Sequence, residues 1–326
     1  MAKVIKVVVI GTGMMGKNHC RTYADLDNVH LVAVCDINKD AAKSMAKKYN
    51  CLYYTDYKLM INVEKPDIVS IVVPTTQHRE VALYCLENKC NVLLEKPIAD
   101  NIVDAKAIIK SAKKNRVKLM IGFLERFNSA VIELKKRLDD NKLGKIFKID
   151  INRIGPFPDR IRDVGVIIDL TSHDLDLARY LLNSEVDSVY SITAKNIHTR
   201  HEDMFNGILK FNNKVIVTLN TNWLTPTKVR NIYVTGEKGM FYVDLLKQEL
   251  IFYENQASKD IKWEPLFGIS EGNIINYKFN KTEPLKSEIK HFIDCVDKTD
   301  IKPLISGDDG LKALEVALKL LKSANK

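Results

Sequence analysis

Val7-Val8-Val9-Ile10-Gly11-Thr12-Gly13-Met14-Met15-Gly16 decides the fold of this 326-residue chain. The apolar β-branched run reads as a strand, and a G-x-G-x-x-G turn leads from it into a helical pattern. The first glycine permits the tight strand-to-helix turn, the second lets backbone approach a pyrophosphate, and the third lets helix and strand pack closely. An anion placed there meets unpaired amides and the positive end of the helix dipole. Asp36 lies twenty residues past Gly16, at the end of the apolar run 31–35. Its carboxylate can accept both hydroxyls of an adenosine ribose and repels a phosphate on that sugar. The spacing therefore predicts NAD rather than NADP, with Gly11, Gly13, Met14, Met15, Gly16 and Asp36 forming the pocket.

Working outward, strand and helix patterns alternate up to about residue 122. Strands are expected near 4–10, 30–35, 67–73, 91–94 and 118–122, with helices near 14–26, 39–49, 77–89 and 101–115. That alternation predicts an α/β fold with a doubly wound parallel (Rossmann) sheet over residues 1–123. Ligands of such sheets bind beyond the carboxyl ends of strands. The residues to follow are thus Gly11 to Gly16, Pro74 to His78, and Glu95 to Pro97. Beyond Gly122 the pattern changes to a helix (128–141), a strand (145–154), a helix (167–182) and a series of short strands up to 253. Tight turns such as Asn212-Asn213 mark the latter as an open, mostly antiparallel sheet. Residues 124–326 are read as a second domain, α+β, for substrate binding and oligomerisation. Ile216, Leu219, Ile232 and Val234 suggest a sheet face covered by another copy of the chain, so a homodimer or homotetramer is expected. Residues 256–282 read as an irregular excursion, and two helices, 283–298 and 308–323, end the chain.

At 46% hydrophobic the chain can bury sizeable cores, and its length favours two domains. The six cysteines show no CxxC spacing and fall mostly in apolar patterns, which suggests small buried hydrophobes in a reducing compartment. A strand begins at Val4, leaving no room for a signal sequence, and no apolar run approaches the ~20 residues that span a bilayer. A cytoplasmic protein without membrane contact is expected. The net charge of +9 comes from lysines scattered among acids, as in Glu133-Leu134-Lys135-Lys136-Arg137, and argues against a nucleic-acid partner while suiting an anionic small molecule.

Hydride transfer from an alcohol requires a base for the hydroxyl proton and positive charge to steady the developing alkoxide. Lys96, between Glu95 and Pro97, follows a strand; proline keeps it out of α geometry, so the ammonium projects at the strand end. Asp169 and His173, four apart in a helical pattern, share one face. Histidine can act as a base near neutral pH, with the carboxylate orienting it. Lysine and histidine could exchange roles. A metal is not expected, because further ligands are not grouped around this pair. Glu95 is expected to position the nicotinamide ribose, and Pro74, Thr75 and His78 to line the cofactor cleft.

Taken together, Gly11-x-Gly13-x-x-Gly16, Pro74-Thr75-Thr76-Gln77-His78, Glu95-Lys96-Pro97, Gly122-Phe123-Leu124-Glu125-Arg126-Phe127-Asn128 and Asp169-x-x-x-His173-Asp174-x-Asp176 resemble the glucose-fructose oxidoreductase and inositol dehydrogenase family, Gfo/Idh/MocA. The resemblance covers nearly the whole chain. It implies a Rossmann domain, a C-terminal open sheet used in oligomer contacts, and oxidation of one secondary hydroxyl of a sugar or cyclitol. Lys96, Asp169 and His173 take the catalytic positions by match. Arg153-Ile154-Gly155-Pro156-Phe157-Pro158-x-Arg160-Ile161-Arg162-Asp163-Val164-Gly165 further resembles the branch that oxidises C3 of UDP-N-acetylglucosamine. The resemblance thus implies a UDP-sugar held by Lys96, Arg126, Asn128, Arg153, Arg160, Arg162, Asp169 and His173, and arginine is suited to pair with a diphosphate. Two rivals remain: an inositol or simple-sugar dehydrogenase, and a non-catalytic dinucleotide sensor.

Overall fold

A computed structural model of the chain describes residues 4–158, 164–197, 200–257, 269–298 and 300–324. The chain forms two compact units, Met1–Leu124 with Glu283–Glu315, and Glu125–Thr282 with Val316–Lys326.

The first unit is built on β1 (Ile5–Ile10), β2 (Val29–Cys35), β3 (Leu52–Tyr54), β4 (Ile68–Ile71), β5 (Asn91–Glu95) and β6 (Leu119–Gly122). They form a parallel sheet in the order β3-β2-β1-β4-β5-β6. This is the doubly wound order, with the topological switch between β1 and β4. Its helices are α1 (Met14–Ala24), α2 (Lys39–Tyr49), α3 (Tyr57–Glu64), α4 (His78–Glu87) and α5 (Ile102–Asn115). Both faces are covered, so the central strands are continuous apolar runs: Val7, Val8, Val9, Ile68, Val69, Val92, Leu93 and Leu94 are all fully buried. Helix starts follow side-chain caps, Asn38 accepting from the amides of Asp40 and Ala41 for α2 and Asn101 from that of Asp104 for α5.

The chain returns to this unit near its end. α8 (Pro284–Asp297) packs on α1, where Arg21 pairs with Glu283. The carbonyl of Ile305 then accepts from the amide of Ile121 on β6, at 3.2 Å. Residues 283–315 therefore belong with the parallel sheet, whereas the sequence reading put everything beyond 123 in the second domain. Amphipathic periodicity shows that a helix packs on something, and a bond between residues 121 and 305 is invisible to it.

The second unit comprises α6 (Ser129–Asp139), β7 (Ile146–Pro156), α7 (Ser172–Leu182), β8 (Val186–Ala194), β9 (Met204–Phe211), β10 (Ile216–Asn222), β11 (Leu224–Gly236), β12 (Gly239–Asp244), β13 (Glu249–Ala257) and β14 (Ile269–Asn276). The sheet runs β14-β13-β12-β11-β7-β10-β9-β8, antiparallel except where β7 and β10 pair in parallel. α9 (Gly307–Ala324) passes from the first unit into the second, where Val316, Ala317 and Leu320 join the core. β14 corrects the expectation of irregular chain over 256–282. It is an edge strand with Gly272 at its middle, a composition that gives little strand signal.

Alternation along the strands separates two faces. Phe205, Leu209, Phe211, Val217, Leu219, Ile232, Val234, Phe241 and Phe252 point to the core. The opposite face carries an in-register asparagine row: Asn152 bonds Asn231 at 2.9 Å and accepts from Asn220 at 3.1 Å. Tyr190, Ile192 and Ile208 are exposed on this face. Leu219, Ile232 and Val234, read from sequence as residues awaiting a partner, are thus core residues, and Ile216 is half-buried. The run of apolar letters hid which member of each alternating pair faces out. No helix among the described residues is long and apolar enough to cross a membrane.

Candidate active site

In the first unit the glycine fingerprint has the geometry its sequence requires. Gly11 has φ +96°, and an added Cβ would fall 2.5 Å from the carbonyl oxygen of Val72. At Gly16 the Cβ would be 1.9 Å from the carbonyl oxygen of Gly11, so helix and loop touch there. Gly13 has nothing within 4 Å of the added position. It caps α1 without a side chain to accept the first amides, leaving an open cradle of donors. That cradle fits a dinucleotide pyrophosphate. Met14 is exposed and Met15 half-buried beside it. Asp36 closes β2 and braces the loop: Oδ2 accepts from the amide and hydroxyl of Thr12, both at 2.8 Å, and Oδ1 from the amide of Asn38 at 2.9 Å.

Beyond β4, Pro74 is exposed and leads into a 3₁₀ turn, Thr75–Gln77, with Thr75 half-buried. His78, expected to line the cleft, is instead 1% exposed. Its Nδ1 lies 2.9 Å from the carbonyl oxygen of Pro97 and its Nε2 3.0 Å from that of Val73. Burial pushes the imidazole below its ordinary pKa, against the pull of these carbonyls. The ring ties the loop after β4 to the loop after β5. There the Lys96–Pro97 peptide is cis, Lys96 is half-buried, and Glu95 is 7% exposed with Oε2 accepting from the Lys96 amide at 3.2 Å.

The second unit holds Asp169 and His173. A π-helical turn, Ile167–Thr171, precedes α7, where the sequence reading had one regular helix from 167. Such turns recur at functional sites. Glu202 anchors this one: its carbonyl accepts from the amide of Val166 at 3.1 Å and its Oε1 from the amide of Ile167 at 3.2 Å. The hydroxyl of Thr171 donates to that of Thr221 at 3.1 Å, with both residues fully buried. Asp169 and His173 are half-buried, whereas Ser172, Asp174, Leu175, Asp176 and Leu177 are buried.

Three residues expected at the substrate are occupied elsewhere. Arg126, 4% exposed, makes a bidentate pair with Asp176, Nε to Oδ2 at 2.7 Å and Nη2 to Oδ1 at 2.6 Å, and stacks on Tyr180. Asn128 caps α6 through the amide of Ala130 and donates to the carbonyl of Leu245 at 2.9 Å. Arg153, 2% exposed, bonds Asp174 Oδ1 through Nε at 2.8 Å and Glu125 Oε1 through Nη1 at 3.0 Å. Buried, paired guanidinium groups of this kind hold elements together; Arg153 keeps one buried donor, Nη2, without a hydrogen-bond partner among the described residues. Arg160 and Arg162 lie outside the described residues. Sequence reasoning missed Arg230 on β11, whose side chain is 33% exposed with Nη1 3.7 Å from Glu125 Oε1. Burial and the neighbouring Arg153 pull its pKa down, while Glu125, Asp174 and Asp169 act the other way. The signal available was an arginine in a strand otherwise rich in β-branched residues.

Residues 5–123 match the family described as an oxidoreductase family with an NAD-binding Rossmann fold, and residues 131–242 match the GFO/IDH/MocA C-terminal domain. Myo-inositol 2-dehydrogenase of Thermotoga maritima is 27% identical over 98% of this chain and 96% of its own. UDP-N-acetylglucosamine 3-dehydrogenase of Acidithiobacillus ferrooxidans is 27% identical over 88% of this chain and 87% of its own. A solved structure of the latter enzyme superposes with a TM-score of 0.87 at 26% identity, covering 98% of this chain and 97% of that one.

Proposed function

The chain belongs to the Gfo/Idh/MocA oxidoreductase family, with an NAD-binding Rossmann domain, and from that premise we propose that it oxidises C3 of UDP-N-acetylglucosamine to the 3-keto sugar nucleotide. The observation that carries a catalytic reading is that Asp169, on a turn anchored by Glu202, and His173, one turn on at the start of α7, are half-buried polar residues, whereas Ser172, Asp174 and Asp176 beside them are buried. NAD, when bound, supplies the hydride acceptor. His173 takes the hydroxyl proton, Asp169 orients its ring and favours the charged form, and Lys96 polarises the oxygen as negative charge develops on it. Glu95 sets the lysine loop through the Lys96 amide. The nucleotide-sugar assignment is supported by the likeness to the Acidithiobacillus enzyme and by Arg230, a cation that reaches the surface within electrostatic range of Asp169.

A second reading, an inositol or simple-sugar dehydrogenase, is favoured by the Thermotoga relative and by the withdrawal of Arg126 and Arg153 into buried pairs. Purified protein incubated with NAD and a panel of UDP-sugars, free sugars and inositols separates the two. NADH formation with UDP-N-acetylglucosamine is expected. Turnover of unphosphorylated sugars alone overturns the nucleotide-sugar assignment, and NAD binding without turnover on any sugar favours a sensor. We also assign the asparagine-rich outer face of the second unit's sheet to self-association as a dimer or tetramer. Ile208→Lys, on that exposed face, is expected to reduce the mass measured by light scattering.

A further inference from the structure

A buried hydrogen-bond chain in the first unit runs from α1 to the lysine loop. His19 is fully buried on α1, with Nε2 3.1 Å from Glu95 Oε1 and Nδ1 3.2 Å from Ser70 Oγ. The hydroxyl of Tyr23, one turn further along α1, is 2.7 Å from the same Ser70 Oγ. The second Glu95 oxygen accepts from the Lys96 amide. The Glu95 carboxyl lies against Gly122, where an added Cβ would fall 3.1 Å from Glu95 Cδ.

One polarity satisfies every member. The Tyr23 hydroxyl makes this one hydrogen bond among the described residues, and burial holds its phenol well above the usual range, so it keeps its proton and donates to Ser70. Ser70 then donates to His19 Nδ1, which carries the lone pair, and Nε2–H donates to the Glu95 carboxylate. Reversing the chain points the Tyr23 proton at no acceptor, and a doubly protonated ring strands the proton of Ser70 or Tyr23, each at the cost of an unmade buried bond.

We propose that His19 is a positioning residue for the reaction. Locked in its Nε2–H tautomer by Ser70 and Tyr23, it fixes the Glu95 carboxylate, which through the Lys96 amide fixes where the lysine leaves β5. α1 also starts at the glycine fingerprint, with Gly13 as its N-cap and Gly16 in its first turn, so one helix borders both the phosphate cradle and the lysine loop. The kinetic consequence rests on the dehydrogenase reading; the tautomer does not.

Two measurements test this. Ligand-free protein labelled with ¹⁵N-histidine, with His19 assigned by its loss in His19→Gln, is expected to show a neutral ring protonated on Nε2, and Ser70→Ala is expected to introduce the Nδ1–H form. An Nδ1–H or doubly protonated ring in the parent overturns the inference. Kinetically, His19→Ala is expected to lower kcat by about 10–100-fold with the NADH Kd within about threefold, as for partners that orient a catalytic group. His19→Gln retains an amide donor where Nε2 lies and is expected to recover most of that loss. Equal losses in both variants, or a loss confined to the NADH Kd, overturns the inference. Ser70→Ala removes one oxygen and carries the kinetic comparison if His19→Ala does not fold. Should no sugar turn over, the dehydrogenase reading fails while the tautomer spectrum still decides the role of His19.

Discussion

Asp36 holds Thr12 twice through a single oxygen, Oδ2 accepting from the amide and from the hydroxyl at 2.8 Å each. The acidic residue expected to select against a ribose phosphate is therefore also a strut of the glycine loop, and the two roles can be separated. An amide oxygen can replace the carboxylate oxygen as acceptor but brings no charge. Asp36→Asn keeps an acceptor for Thr12 but turns its NH2 towards the Asn38 amide, so it is expected to melt between the parent and Asp36→Ala and to narrow the NAD over NADP preference in kcat/KM by about tenfold, ~1.4 kcal/mol. Asp36→Ala loses both roles, so its kcat/KM with NAD should also fall by about tenfold or more. Equal behaviour of the two variants in kinetics and melting would show that the strut is immaterial.

Lys96 follows β5, where ligands of doubly wound sheets bind, and is held there by the Glu95 contact to its amide. Lys96→Met retains much of the apolar stem and removes the charge. It is expected to lower kcat on the order of 10²–10⁴-fold while the NADH Kd, read from fluorescence, changes less than about threefold. A loss confined to cofactor binding would remove Lys96 from the chemistry.

How much of this was legible in the letters depends on distance along the chain. The cofactor loop was readable because Gly11, Gly13 and Gly16 act on neighbours within a few residues, and Asp36 is reached by one βα unit. The spacing of Asp169 and His173 was readable as a candidate pair, but the π turn that bears Asp169 was not. That turn is fixed by Glu202 and Thr221, 35 residues from Ile167 and 50 from Thr171. Arg126 and Arg153 looked like diphosphate ligands because their acids lie 50 and 21 residues away, in Asp176 and Asp174. A clue was present: Asp174 and Asp176 alternate with Leu175 and Leu177 in α7, and acids set among core residues need buried cations, since unpaired charge in a core is expensive. His19 gave only the signal of one histidine on an apolar helix face.

The buried pair of Arg153 and Asp174 gives a pH signature. Burial tends to lower the Arg153 pKa, but Asp174 and Glu125 outweigh it and hold the guanidinium above its ordinary value. Burial pushes the Asp174 carboxyl from 3.8 up to about 6, against the pull of Arg153, and its Oδ2 has no hydrogen-bond partner among the described residues. Between those values the folded protein holds a proton that the unfolded chain has released, so stability falls as pH rises from about 4 to about 6. Asp174→Asn removes this titration and still offers Arg153 an acceptor. The melting temperature of the variant relative to the parent is expected to rise across that window and level off above it. A difference that is flat over this window and falls as pH rises towards about 4 would mean that the ion pair, not burial, sets the carboxyl.

Gly165 and Glu202 offer a test of what holds the turn bearing Asp169. A Cβ at Gly165 would fall 2.1 Å from Glu202 Cδ, so Gly165→Ala must displace the carboxylate. A flexible side chain could ordinarily yield, but Glu202 is 8% exposed and accepts from the Ile167 amide, so displacement breaks a buried hydrogen bond at about 1–3 kcal/mol. Glu202→Ala breaks the same bond and removes the obstacle. Adding Gly165→Ala to Glu202→Ala should therefore cost little further, and the double variant should melt about 1 kcal/mol or more above the sum of the single losses. Because the turn carries Asp169, each single variant should lower kcat/KM as well, and the kinetic losses should fall short of additive in the same way. Additive melting losses would mean that the two residues act on the fold independently and that the turn is held by Thr171 and Thr221 instead.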